Sequence, residues 1–284
     1  MRFREPIIQK LPRYLSTLPV AVHTPGTLGN IIADFARAIN DPLEDEPAAY
    51  LQFLIKQGSL EAIYLDTPSG TLERYLIGIP SLAEIALSLK DNSYLSHASA
   101  AFIHGLINEE PPIVYVSKEG YPRQKETIVL AQEAIDTAFA KPQRRSGTEI
   151  TWQGHQFLLL TGQYSEGEGV EQKGKLRLTD LERTLLDITV RPQYGRGANT
   201  VLQAYREGKG RIDVQRLRQL LEHLNYHYPY HQAIGFYLTR AGYSSKELKC
   251  FRSMKKRHRF YLDYQMNAPL YDETWQVYYP QDLT

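Results

Sequence analysis

Residues 24–40, TPGTLGNIIADFARAIN, and residues 46–77, EPAAYLQFLIKQGSLEAIYLDTPSGTLERYLI, decide how the first part of the chain is read. In the first stretch Leu28, Ile31, Ile32 and Phe35 recur at helical spacing behind Thr24-Pro25-Gly26, and Asn40-Asp41-Pro42 marks the stop. In the second, acidic residues (Glu44-Asp45-Glu46) and Pro47 open a helix over 46–57 that closes at Gly58. Two strand-like runs, 60–65 and 71–77, then flank Thr67-Pro68-Ser69-Gly70, which is a β-hairpin pattern. Helix, helix, hairpin is the plan of a winged helix-turn-helix, with the helix at 46–57 as recognition helix and the hairpin as wing. Leu51, Leu54 and Ile55 are then expected to face the core. Tyr50 and Gln52 would read base edges, and Phe53 and Gln57 also fall on the groove side. Lys56 and Arg74 would meet phosphates, and Ser69 and Thr71 would reach the backbone or minor groove from the wing.

The electrostatics of that helix pull the other way. Duplex binding draws on cations that displace condensed counterions, and this helix opens with three acids and offers one cation. Residues 1–80 carry 7 basic and 9 acidic side chains, whereas residues 205–260 carry 13 basic and 4 acidic. The densest run, KCFRSMKKRHR at 249–259, holds Lys249, Arg252, Lys255, Lys256, Arg257 and Arg259 with no acid. Such a run is a solvated face, a second electrostatic contact to DNA phosphates, or a surface for an acidic partner.

The whole chain has 284 residues, with 33 Lys plus Arg against 32 Asp plus Glu and 42% hydrophobic residues. That composition excludes disordered, collagen-like and coiled-coil classes. No run is long and apolar enough to span a membrane, MRFREPIIQK lacks the apolar core of a secretory signal, and Cys250 stands alone, so a cytoplasmic protein is expected. The expected boundary lies near Gly78-Ile79-Pro80, giving domains 1–80 and 81–284 in an α+β protein.

Beyond residue 80 the pattern is mixed. Helices are expected over 96–105, with a Ser96 cap, and over 132–139; a strand over 113–116; and a hairpin over 149–160 around Gly154. Thr179-Asp180-Leu181-Glu182 and Ser244-Ser245-Lys246-Glu247 read as capping boxes. Asp213 caps a helix whose Leu217, Leu220, Leu221 and Leu224 form an apolar stripe, another helix runs over 232–240, and strands close the chain at 259–265 and 275–279. Enzyme signatures are missing: Gly195-Arg196-Gly197 lacks a further glycine, Gly58-Ser59 with Asp66 lacks a second carboxylate, and no nucleophile elbow occurs. His97 and His104 lack a third ligand, and Pro229 interrupts the His223, His227, His231 series, so neither metal nor cofactor is expected. The tyrosines at 226, 228, 230 and 237 read as packing residues.

The block Tyr94-Leu95-Ser96-His97-Ala98-Ser99-Ala100-Ala101-Phe102-Ile103-His104-Gly105-Leu106, followed by Ile113-Val114-Tyr115-Val116-Ser117, resembles the AbiEi antitoxins of type IV toxin–antitoxin systems. Leu178-Thr179-Asp180-Leu181-Glu182-Arg183-Thr184-Leu185-Leu186-Asp187 and Ala233-Ile234-Gly235-Phe236-Tyr237-Leu238 are similar to the same family, over about residues 24–250. The resemblance implies a phage-defence protein, and the missing enzyme signatures make a non-enzymatic role the expectation. Its winged helix would bind promoter DNA as an autorepressor. Its carboxyl-terminal domain would counter an AbiEii-like nucleotidyltransferase toxin, with or without stable contact. The alternative is an interaction protein that counters the toxin and binds no DNA.

Overall fold

The structure is a computed structural model that describes residues 5–41, 43, 45–122 and 129–284. Pro42 and Glu44, which figure in the sequence reading, lie outside these residues. The chain begins with α1 (Glu5–Leu15), β1 (Val22–His23), α2 (Pro25–Ala38), α3 (Pro47–Lys56), β2 (Glu61–Thr67) and β3 (Gly70–Leu76). Pro25 sits at the first position of α2, where its missing N–H costs nothing, and the Thr24 hydroxyl accepts from the Thr27 amide at 3.1 Å. The three helices close over Ile7, Leu11, Leu15, Leu28, Ile32, Leu51 and Leu54, capped from the sheet by Leu60 and Tyr75. Burying each such aliphatic side chain stabilises the fold by about 1.5–3 kcal/mol. α1 holds despite Pro12 in its interior, because the Ile7, Leu11, Leu15 spacing buries one face of it.

The rest of the chain runs α4 (Leu82–Leu87), β4 (Tyr94–Leu95), α5 (His97–Ile103), β5 (Ile113–Lys118), α6 (Gln132–Phe139), β6 (Thr148–Trp152), β7 (His155–Thr161), β8 (Val170–Lys173) and β9 (Leu176–Thr179). It continues with α7 (Leu181–Val190), α8 (Ala198–Glu207), α9 (Val214–Leu224), α10 (Tyr230–Arg240), α11 (Lys249–Arg252), β10 (Phe260–Tyr261), β11 (Leu270–Asp272) and β12 (Val277–Tyr279). Among the described residues the strands form a nine-stranded mixed sheet, ordered β1-β3-β2-β6-β7-β5-β4-β9-β8, and a three-stranded sheet, β10-β12-β11. The class is α+β, as the sequence predicts.

Two features of this sheet place the functional surfaces. First, it crosses the expected boundary: Asp66 of β2 pairs with Thr151 of β6, and Ile63, Leu65 and Leu76 share a core with Ile85, Ala86, Leu89, Val116 and Phe157. The hairpin is therefore part of the sheet and not a free ribbon. Second, β5 and β7 run parallel, from Ile113 opposite Gln156 to Lys118 opposite Thr161, so their carboxyl ends open on the same side.

Local chemistry departs from expectation at two helix starts. Asp180, not Thr179, caps α7, accepting from the Arg183 amide at 2.7 Å, and Glu182 turns away to accept from the Asp213 amide at 2.6 Å. Ser96 makes no cap bond to α5; its hydroxyl pairs with His97 Nδ1 at 2.9 Å and Ser117 at 2.7 Å. The Ser244 and Glu247 box forms as expected. The strand expected at 259–265 is only Phe260–Tyr261.

Candidate functional site

On α3 the residues at 48, 52 and 56 recur every four positions and face solvent: Ala48, Gln52 and Lys56, followed by exposed Gln57. Tyr50 does not join them. It lies one turn before Leu54 on the inner face and is 1% exposed, so its role as a base reader is corrected to core packing. Arg74 is corrected likewise. Its guanidinium is 7% exposed and donates through Nε and NH2 to the Ser88 carbonyl at 2.9 and 2.8 Å, and through NH1 to the Glu73 carbonyl at 2.8 Å. β3 turns Arg74 towards the segment after α4, and burial lowers its pKa. Ser69 and Thr71 are exposed at the hairpin turn, which Thr67 ties by accepting from the Ser69 amide at 3.2 Å.

A cation beside that turn comes from a segment the sequence did not single out. Pro68 shares a shallow hollow with Arg145, Ser146, Gly147 and Glu149. Arg144 and Arg145 are both exposed, and Arg145 approaches Glu149 at 4.0 Å in a solvent-screened pair. Arg144-Arg145 in KPQRRSG is visible as a dipeptide, but only the fold brings Arg145 beside the turn.

The 249–259 run is an ordered surface and not a tail. Gln232 Nε2 donates to the carbonyls of His258 and Trp275, each at 2.8 Å, and His231 Nε2 lies 3.2 Å from the Lys255 carbonyl. Lys249, Arg252, Lys255 and Arg257 are exposed, Lys256 Nζ lies 5.3 Å from the Trp275 ring centre, and Arg259 approaches Asp136 at 3.9 Å. The run belongs to the carboxyl-terminal core, which does not include the hairpin.

A cleft of about 490 Å³ opens at the carboxyl ends of β5 and β7. Its floor is α7, where Arg183 and Asp187 form an ion pair at 2.8 Å with side chains 3% and 7% exposed. Arg183 NH1 also donates to the Glu168 carbonyl at 3.0 Å. Arg191, half-buried at the end of α7, donates through NH1 to the Arg144 carbonyl at 3.1 Å. His97 lines the same cleft with φ 51, a left-handed backbone rare for a buried non-glycine residue. Burial pulls its imidazole down to about 4, against a smaller upward pull from Asp187.

Three carboxylates at α7 and its start are each engaged: Asp180 with Arg216 at 2.8 Å, Glu182 with the Asp213 amide, and Asp187 with Arg183. Among the described residues no group of three His, Cys, Asp or Glu side chains is placed to hold a metal ion. His104 is taken up structurally, its Nε2 2.7 Å from the Thr179 carbonyl. Among these residues no helix is long and apolar enough to cross a membrane.

No protein-family model and no curated protein matches the chain. Among solved structures it is similar to the crystal structure of the RV2827C protein from Mycobacterium tuberculosis, with a TM-score of 0.55 and 13% identity over 98% of this chain and 93% of that one. At that identity the likeness is one of fold.

Proposed function

We propose that this chain is a promoter-binding autorepressor and an antitoxin that counters a nucleotidyltransferase-like toxin. The observation that carries the DNA-binding half is the packing of α1 to β3. α3 follows α2, rests on it through Tyr50, Leu51 and Leu54, and turns Gln52 and Lys56 to solvent beside a β-hairpin. We read this unit as a winged helix-turn-helix, with α3 in the major groove. Gln52 suits adenine, since its amide can donate and accept at once, and Lys56 is a phosphate contact. Arg145, beside the hairpin turn, supplies a phosphate contact that buried Arg74 does not. The antitoxin half rests on the resemblance of the 94–106 and 178–187 blocks, and we assign the 249–259 cations to an acidic surface on the toxin.

A mobility shift with the chain's own upstream region tests the DNA half. Binding should fall with Gln52→Ala and Arg145→Glu, and should leave Lys255→Glu/Lys256→Glu within about twofold of the parent. A second reading is favoured by exposed Glu46, Glu61 and Asp66, which outnumber Lys56, the one exposed cation among the described residues 45–77. In that reading the unit is a protein-docking module and the upstream region is bound no better than unrelated duplex.

A further inference from the structure

The cleft between β5, β7 and α7 has no part in the repressor reading, and its chemistry is that of a ligand site. Its size lies in the range of small-molecule sites, about 300–1,000 Å³. Four permanent cations line it, Lys141, Arg144, Arg183 and Arg191, against one carboxylate, Asp187, whose Oδ1 is already occupied by Arg183 Nε. Arg191 is fixed by its bond to the Arg144 carbonyl, and a guanidinium so held loses little freedom when it takes an anion. Aromatic rings share the lining with the cations, among them Tyr228 from the loop between α9 and α10 and Tyr264 after β10. Phe139 stacks behind Tyr264 at 4.4 Å between centroids and braces it.

His97 adds a hydrogen-bonding atom. Nδ1 is bound to Ser96, the ring is wedged edge-on against Tyr194 at 5.4 Å, and Nε2 has no hydrogen-bond partner among the described residues. A strained backbone holding a buried imidazole at a cleft wall marks a place where geometry is kept for something other than packing. Excess positive charge without rings would suit any inorganic anion, and rings without charge would suit an apolar ligand. The two together match a phosphate attached to a flat heterocycle.

We propose that this cleft binds a nucleoside phosphate, with the phosphate on Arg144, Arg191 and Lys141 and the base against the tyrosines. The site does not depend on promoter binding. The ligand is either a free mononucleotide or the phosphorylated terminal nucleotide of a single strand, which present the same chemistry.

The test is calorimetric titration of the full chain with the four nucleoside 5′-monophosphates, their nucleosides, inorganic phosphate, and a tetranucleotide with and without a 5′-phosphate. At least one mononucleotide should bind tenfold or more tightly than its nucleoside and than inorganic phosphate. Arg144→Gln, an exposed change that leaves the core untouched, and Arg191→Gln should each weaken it about tenfold. Tyr228→Ala should weaken the nucleotide while leaving inorganic phosphate unchanged. Equal binding of the phosphorylated tetranucleotide would support the strand end as source, and preference for the mononucleotide would support the free form. The proposal is overturned if no nucleotide binds, if inorganic phosphate binds as tightly, or if both arginine variants bind like the parent.

Discussion

Replacing Asp187 with alanine should be among the most damaging single changes in the chain. Its carboxylate and the Arg183 guanidinium meet at 2.8 Å with side chains 7% and 3% exposed, so neither has water to fall back on. Without the carboxylate, Arg183 keeps, among the described residues, the Glu168 carbonyl at 3.0 Å and the Ser165 hydroxyl at 3.4 Å, which do not balance a full charge. Removing one partner of a buried pair typically costs about 3–5 kcal/mol, most of it the stranded charge. The double change Arg183→Met/Asp187→Leu removes both charges and should recover most of that loss. Urea unfolding at neutral pH reads both as midpoint shifts at constant slope. A single-variant loss under about 1 kcal/mol, or a double variant as unstable as the single, would refute the argument from desolvation.

Other outcomes follow from the same geometry. Burial holds His97 near 4 against an ordinary 6.5, so the unfolded chain binds this proton first as pH drops. Its effect is a loss of about 3 kcal/mol as pH falls from 6.5 to 4, with the contribution intact above 6.5. His23, His104 and His231 are lowered by burial in the same sense, so the check is whether His97→Gln has a flatter stability profile than the parent over that window. At Gly235 an added Cβ would lie 2.2–2.5 Å from the Trp275 ring, so Gly235→Ala should lower the melting temperature, at a cost of about 1–3 kcal/mol or more; an unchanged Tm would show that the ring moves freely. Tyr50→Ala should cost about 3–5 kcal/mol of stability, with any surviving folded protein keeping its sequence preference on DNA. A changed preference at full stability would return Tyr50 to the groove. Lys56→Ala should weaken binding to all duplexes alike and reduce the salt slope by about one.

The sequence was most legible where periodicity and punctuation agree. Pro25 and Pro47 start α2 and α3, Asp213 accepts from the Gln215 and Arg216 amides as a cap should, and Gln153-Gly154 turns the β6–β7 hairpin with φ 47 and 82. Legibility ended where side-chain choice depends on tertiary neighbours. Thr179 and Asp180 are both competent caps one residue apart, and what decides is that Thr179 is claimed by Thr184 at 2.7 Å. Tyr50 is amphipathic and reads equally well as a groove residue, until Leu54 below it fixes which face is inward. Arg74 reads as a wing cation, but the Ser88 carbonyl that captures it is 14 residues away. The cleft was invisible for the same reason. Its residues come from α5, β5, the 138–146 segment, β7, α7 and the 226–230 loop, and no local pattern announces that parallel pairing of β5 and β7 brings them together.

The repressor claim stands or falls on binding of the purified chain to duplex DNA from its own upstream region, against unrelated duplex of equal length, at 50 and 200 mM salt. A promoter-binding repressor prefers the upstream duplex at both salts, loses affinity steeply between them, and forms a weaker complex as Arg145→Glu. Equal affinity for the two duplexes, or a complex indifferent to both salt and Arg145, would contradict it.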